Sequence, residues 1–175
     1  MRNLGRAAGL TLLLGAALAA YGDSSDQPRS FIDESEITWK VNQFNVARWK
    51  TLIGGIEGGQ IDAEDVQFGL WELAPRAIYH GHKHAAPEIY YVLSGRVLWT
   101  VGEQSQEVGS GSAIYTKPGQ VHRMENLTDQ PAQAIWIWWA PGGDKGVFLA
   151  PYEFTEPAPN QLDEAHFSSP SQRKY

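Results

Sequence analysis

From residue 66 onward the chain reads in alternation. In VQFGLWEL, residues 66 to 73, strand parity puts Val66, Phe68, Leu70 and Glu72 on one face and Gln67, Gly69, Trp71 and Leu73 on the other. Pro75 ends the run. Further stretches of strand length follow at 79–84, 88–93, 96–101, 113–116 and 132–140. Ser94-Gly95, Gly102, Gly109 to Gly111, Pro118-Gly119 and Pro141-Gly142-Gly143 separate them. Upstream, ITWKVNQFNVARWKTLIGG (37–55) is rich in β-branched and aromatic residues and predicts one or two short strands. No segment holds a long helical period and no internal repeat is visible. Short strands punctuated at this spacing predict an all-β sandwich or barrel.

The two ends read differently. Residues 1–20 carry Arg2 and Arg6, an apolar run from Ala7 to Ala20 and a small-x-small site at Ala17-Leu18-Ala19, the pattern of an export signal too short to span a bilayer. Leu18-Ala19-Ala20-Tyr21-Gly22 has the form of a lipoprotein box with Tyr21 where the lipidated cysteine would stand, so no thioether and no membrane anchor is expected. The expected location is periplasmic or secreted. Residues 21–36 read as a flexible leader, 37–150 as the β domain, and 151–175, with four prolines, as a tail that wraps the surface or is disordered.

Charge and composition narrow the chemistry. Beyond the signal the chain has 12 basic against 20 acidic side chains, a net charge of −8, with no basic run to neutralise phosphates. Nucleic acid and anionic lipid surfaces are therefore not expected partners. With no cysteine, disulfides, thiolate metal sites and thiol nucleophiles are excluded, and any metal must sit on His, Asp, Glu or Tyr.

One stretch meets that requirement. In HGHKHAAPEIYYVLSG (80–95), His82 and His84 point to one side of a strand, and a bend through Pro87 can return Glu88 to it. His122 follows the Pro118-Gly119 turn and can be presented at a strand start. Imidazoles and one carboxylate converging inside a barrel suit one divalent transition metal, Fe, Mn, Ni, Co or Zn, with positions left open for water and substrate. Spacing alone also fits a solvent-exposed strand face of alternating histidines.

The wider pattern resembles the cupin superfamily. Its first motif, H-x-H, three or four residues, E, six residues, G, matches His82, His84, Glu88 and Gly95. Its second, G, five residues, P-x-G, two residues, H, three residues, N, corresponds to Gly111, Pro118-Gly119, His122 and Asn126. Two positions depart from it: Lys117 stands where the first proline is expected, and Arg76 where an upstream glycine is expected. The resemblance covers roughly Phe68 to Trp139. It implies a single double-stranded β-helix (a jelly-roll barrel) and assigns His82, His84, Glu88 and His122 as metal ligands. His80 shares their parity but lies outside the motif, as a residue of the surface or behind the ligands. Small cupins often pair, so a homodimer is a further implication.

Neighbouring residues point toward a reaction. Tyr90 shares the face of Glu88, where a cation would favour its phenolate and make it a general base; the plain alternative is core packing. Tyr91 has the wrong parity. Trp136 and Trp138 share a face opposite Trp139 and can give the cavity indole walls that attract a desolvated cation. Together, HKHAAPEIYYVLSGRVLW and HRMENLTDQPAQAIWIWW resemble the dimethylsulfoniopropionate lyase branch of the cupins. That resemblance implies β-elimination of the small substrate to dimethyl sulfide and acrylate, with Tyr90 taking the proton and Tyr79, Trp99, Trp136 and Trp138 around the substrate. A dioxygenase or isomerase acting on another small molecule, and a non-catalytic binding cupin, are the other readings.

Overall fold

The computed structural model describes residues 29–156 and Phe167. The expected export signal and the box around Tyr21 lie outside the described residues. Eleven strands form among them. In chain order they are β1 (Lys40–Val41), β2 (Ala47–Ile53), β3 (Val66–Leu73), β4 (Ile78–Lys83), β5 (Glu88–Ser94), β6 (Arg96–Val101), β7 (Gln104–Gly109), β8 (Ala113–Thr116), β9 (His122–Asn126), β10 (Ala132–Trp139) and β11 (Glu153–Phe154). One sheet has the order β1-β2-β3-β10-β5-β8 and the other β11-β4-β9-β6-β7, with every strand pair antiparallel. The two inner faces meet in a core that includes Leu73, Val92, Val97, Trp71, Trp99 and Met124. This is an all-β jelly roll, the architecture that the cupin resemblance implies.

Alternation decides which face is inside. Gln67, Gly69, Trp71 and Leu73, which parity groups on one face of β3, are its buried set. Their neighbours face outward. There Glu72 is nonetheless buried, accepting from Arg48 Nη2 at 2.6 Å and Gln133 Nε2 at 2.9 Å, while the Arg48 guanidinium lies 4.5 Å from the ring centres of Trp39 and Phe167. Gly95 is where the chain leaves one sheet for the other, between β5 and β6. Its φ is +88°, and a Cβ there would stand 2.7 Å from Ala132 Cα. Both the left-handed backbone and the close approach require glycine.

Three strands exceed the reading from pattern alone. β7, QSQEVG, is exposed except at Val108 and Gly109, so it has no apolar alternation to reveal it. It is an edge strand, paired only with β6, and a polar sequence suits an edge. β9 extends the anticipated strand start at His122 to Asn126. β11 lies in the segment read as tail, and it adds to the edge of β4. Of the expected flexible leader, the described part 29–36 ends in one 3-10 turn, Glu34–Glu36, closed by an Asp33 capping box.

Candidate metal centre

The centre lies between the sheets. β4 and β9 of one sheet bring His82 and His122 side by side in register, and His84 follows at the end of β4. The chain then turns through residues 85–87 and crosses to the other sheet, where β5 opens with Glu88. All four side chains are buried, with His122 at 0% exposure and Glu88 at 2%. One ligand-type nitrogen from each of His82, His84 and His122 lies within 4.8 Å of the others.

The backbone fixes the imidazoles in one tautomer. His82 Nδ1 donates to His80 O at 2.7 Å, His84 Nδ1 to Ala86 O at 2.8 Å and His122 Nδ1 to Gln120 O at 3.1 Å. A carbonyl oxygen only accepts, so each neutral ring carries its proton on Nδ1 and keeps its lone pair on Nε2. Those lone pairs converge on a carboxylate. Glu88 Oε2 is 3.3 Å from His84 Nε2 and 3.0 Å from His122 Nε2. Apart from that contact, His122 Nε2 has no hydrogen-bond partner among the described residues. At these distances, away from water, each pair needs a positive charge between its atoms, either a proton on Nε2 or a metal cation. A dication would satisfy the imidazoles and the carboxylate at once, and outward Nδ1 bonds are the supports that metal-ligating histidines use. The residues fit a divalent transition metal and leave its identity open.

Electrostatics follow from the same burial. Burial and the adjacent His122 hold His82 down to about 3, so it is neutral at ordinary pH. Burial opposes ionisation of Glu88, but contacts to His122 and His84 outweigh it and keep the carboxyl well below the usual carboxylate range. Trp138 Nε1 donates to Glu88 Oε1 at 2.6 Å, which orients the carboxylate while its ring packs 4.6 Å from His84.

Around this set lies a cavity of about 480 Å³ whose walls include Trp49, Trp71, Tyr79, Tyr90, Trp136, Trp138 and Tyr152. Among the described residues no lysine or arginine lines it, and its carboxylates are Glu57 and Glu88. Tyr90 faces in beside Glu88; burial first, then the Glu88 charge, push its phenol well above the ordinary range. Burial raises Tyr79 to about 12.

The sequence-derived residues divide as follows. His82, His84, Glu88 and His122 come together, and Tyr79, Tyr90, Trp136 and Trp138 line the cavity above them. Trp139 points away and stacks on Tyr115. Trp99, expected near substrate, is instead core: it packs 4.8 Å from the Tyr90 ring and 5.9 Å from Trp71, and does not line the cavity. His80 gives its carbonyl to His82, while its imidazole turns out to Glu156 at 3.3 Å. The shared parity fails because the β4–β9 register shifts between Tyr79 and His82. That irregularity lets Tyr79 and His82 both face the cavity. Tyr152, like Trp49 and Glu57, is a cavity residue that the pattern did not offer. Its ring stacks on His82 at 4.8 Å and its hydroxyl donates to Tyr79 Oη at 2.8 Å. Two exposed residues precede β11, and nothing in their composition marks them.

Residues 69–138 match the family model Cupin_2, cupin domain. An uncharacterized protein of Methanocaldococcus jannaschii is 38% identical over 61 residues, 34% of this chain and 49% of the relative. The dimethylsulfoniopropionate lyase DddW of Ruegeria pomeroyi is 32% identical over 72 residues, 41% of this chain and 45% of the relative. The matches span between 45% and 62% of the length of the curated relatives. Among solved structures, the lyase DddQ of Ruegeria pomeroyi superposes with a TM-score of 0.54 at 22% identity, covering 61% of this chain and 57% of that one. The polyketide cyclase RemF of Streptomyces resistomycificus superposes with a TM-score of 0.59 at 16% identity, covering 75% and 88%. The fold is common to proteins whose names carry different reactions.

Proposed function

We propose, for a chain that folds as a cupin and resembles its dimethylsulfoniopropionate lyase branch, a metal-dependent enzyme acting on a small carboxylate, in its sharpest form the β-elimination of dimethylsulfoniopropionate. The observation that carries it is the pairing of Tyr90 with the His82, His84, Glu88 and His122 set, in an aromatic cavity without a cationic side chain.

Bound to that set, a divalent cation would take the substrate carboxylate and acidify the adjacent C–H. Tyr90 is the base placed for that proton. Its high proton affinity in the buried site makes the phenolate a strong acceptor once formed. The C–H electron pair becomes the C=C bond, the C–S bond breaks with its pair going to sulfur, and the proton rests on Tyr90 Oη. Dimethyl sulfide and acrylate leave. Trp136, Trp138, Trp49 and Trp71 offer indole faces to the sulfonium and exclude water.

The metal-loaded chain, incubated with dimethylsulfoniopropionate and followed by headspace gas chromatography, is expected to release dimethyl sulfide. His122→Ala should abolish release, and Tyr90→Phe should lower it about 100-fold or more with metal still bound. Bound metal with no sulfide would reject the lyase form and turn the search to oxygen uptake on other acids. Full activity in Tyr90→Phe would reduce Tyr90 to packing.

A further inference from the structure

Glycine between two histidines is unexplained by the metal set. Gly81 has no unusual φ, since it is absent from the left-handed residues, yet it is buried within β4. A Cβ there would stand 2.9 Å from Thr155 Oγ1 and 3.0 Å from Glu156 Oε1. The position is kept small by the chain that follows the barrel.

We propose that residues 152–156 form a docked strap closing the metal pocket, seated on Gly81, with Tyr152 as the side chain that covers the imidazoles. The proposal rests on the reading of the pocket as a metal centre.

The backbone and charged contacts of the docking go to β4 and its neighbour β9. β11 pairs Glu153 with Lys83 and Phe154 with His82. Thr155 N donates to Gly81 O at 2.7 Å, and Gly81 N donates to Glu156 Oε2 at 3.2 Å. That same oxygen lies 3.3 Å from His80 Nδ1 and 3.7 Å from Arg123 Nε, so His80, outside the ligand set, anchors the strap. Lys83 Nζ meets Glu153 Oε2 at 3.0 Å. From this seat Phe154 packs edge-on to Phe44 and Tyr79. Tyr152 lies near-parallel over His82 and His84, with interplanar angles of 17° and 22°, and bonds to Tyr79 across the cavity.

The seat is weaker than the barrel. It has two residues of strand, and its charged partners are open to solvent, with the Glu156 side chain 42% and the Glu153 side chain 56% exposed. Segments held by few bonds near solvent open locally at lower free energy than the core. The strap therefore opens while the jelly roll stays folded, and ligand exchange at the centre waits on it. Tyr152 is a cavity wall and positioning residue.

Two readouts test this on the full chain. In the metal-free protein, Gly81→Ala or Glu156→Ala should strip the Thr155 amide of its protection from hydrogen exchange while β3 and β10 amides stay protected. In the Co(II)-loaded protein, the same variants should lose metal to excess EDTA about tenfold faster or more, roughly the effect of one or two lost hydrogen bonds on an opening equilibrium. Tyr152→Ala should speed release yet leave Thr155 protected, separating the cover from the seat. An unchanged Thr155 protection in both seat variants overturns the docking on Gly81. Lost protection with an unchanged release rate overturns the closing role. Failure of wild type to hold Co(II) at all would sink the metal reading and the closing role with it, while the exchange experiment would still judge the seat.

Discussion

β9 begins and ends with a buried polar side chain, and the two are satisfied in opposite ways. Asn126, 1% exposed, donates from Nδ2 to Leu73 O, Ala74 O and Gln130 O, and its Oδ1 accepts from Thr128 N and Thr128 Oγ1. His122, 0% exposed, is bonded outward through Nδ1 and turns an unpartnered Nε2 toward a carboxylate. Burying a polar group stabilises nothing unless its hydrogen bonds are made. Asn126 makes its bonds within the chain and so belongs to the fold. His122 leaves one to be made by something else, and so belongs to a ligand.

The largest expected effect breaks that comparison directly. Asn126→Ala removes the donor to three carbonyls and the acceptor of the Thr128 amide, and although Ala74 O still accepts from Ala77 N and Gln130 O from Thr128 Oγ1, it should cost about 2 to 4 kcal/mol in urea unfolding of the metal-free protein. His122→Gln nearly keeps volume and can offer its amide as a donor where the neutral imidazole offers none to Glu88, and should cost under about 1 kcal/mol in the same experiment. Added Zn(II) should then raise the wild-type midpoint and leave His122→Gln where it was, because only a folded-state ligand stabilises by mass action. Equal costs without metal would erase the distinction between the two ends of β9.

A smaller effect sharpens it through pH. An unfolded chain protonates His82 near the ordinary value of 6.5, whereas the folded chain resists until about 3. The unfolded state thus binds more protons across that window, so stability is full above it and falls as pH drops from 6.5 toward 3. Glu88, held low, adds a loss of the same sign as pH falls below its ordinary value of 4.5. Urea midpoints of the metal-free protein should fall between about pH 7 and 5, and fall less in His82→Gln, which has nothing to protonate. Parallel lines for the two proteins would mean that His82 is not held neutral.

How much of this was legible in the sequence follows from which interactions are local. Parity divided β3 into its two faces and set Trp136 and Trp138 together against Trp139, because side chains alternate along a strand, but which face is inner came from the packing of the two sheets. The four ligand-type residues carry motif spacing, so their convergence was open to reading even though Glu88 reaches the others from the opposite sheet. Trp99 was misplaced for a reason parity cannot express, whereas His80, read as a residue of the surface or behind the ligands, is found there although it shares their parity. Trp99 lies on the inner face as expected, but Tyr90 and Trp71 stand between it and the cavity. His80 is turned out by a register shift that depends on β9, some 40 residues later. β7 was hidden by its polar edge, and Tyr152 by lying in an unpatterned segment whose place is set by contacts to Gly81 and Tyr79, about 70 residues away. Covers and edges are non-local in this way; ligands on strands are not.

The smallest predicted effect concerns the position where glycine was expected. Arg76 takes φ +56°, the left-handed region that costs a side chain and suits glycine. The arginine offsets that strain with its own reach: Nε and Nη2 bind Asp129 at 2.8 and 3.1 Å, and Nη1 donates to Leu127 O at 2.7 Å. Its amide also donates to Thr128 O, so the turn is held to the loop beside Asn126. Arg76→Gly loses the side-chain bonds but relieves the backbone, and should melt close to wild type. Arg76→Ala loses the bonds and keeps the strain, and should melt lowest of the three, by a few degrees. The order of alanine and glycine is the readout. Alanine melting at or above glycine would show that the turn does not need a left-handed residue, and that Arg76 is held there by its ion pair alone.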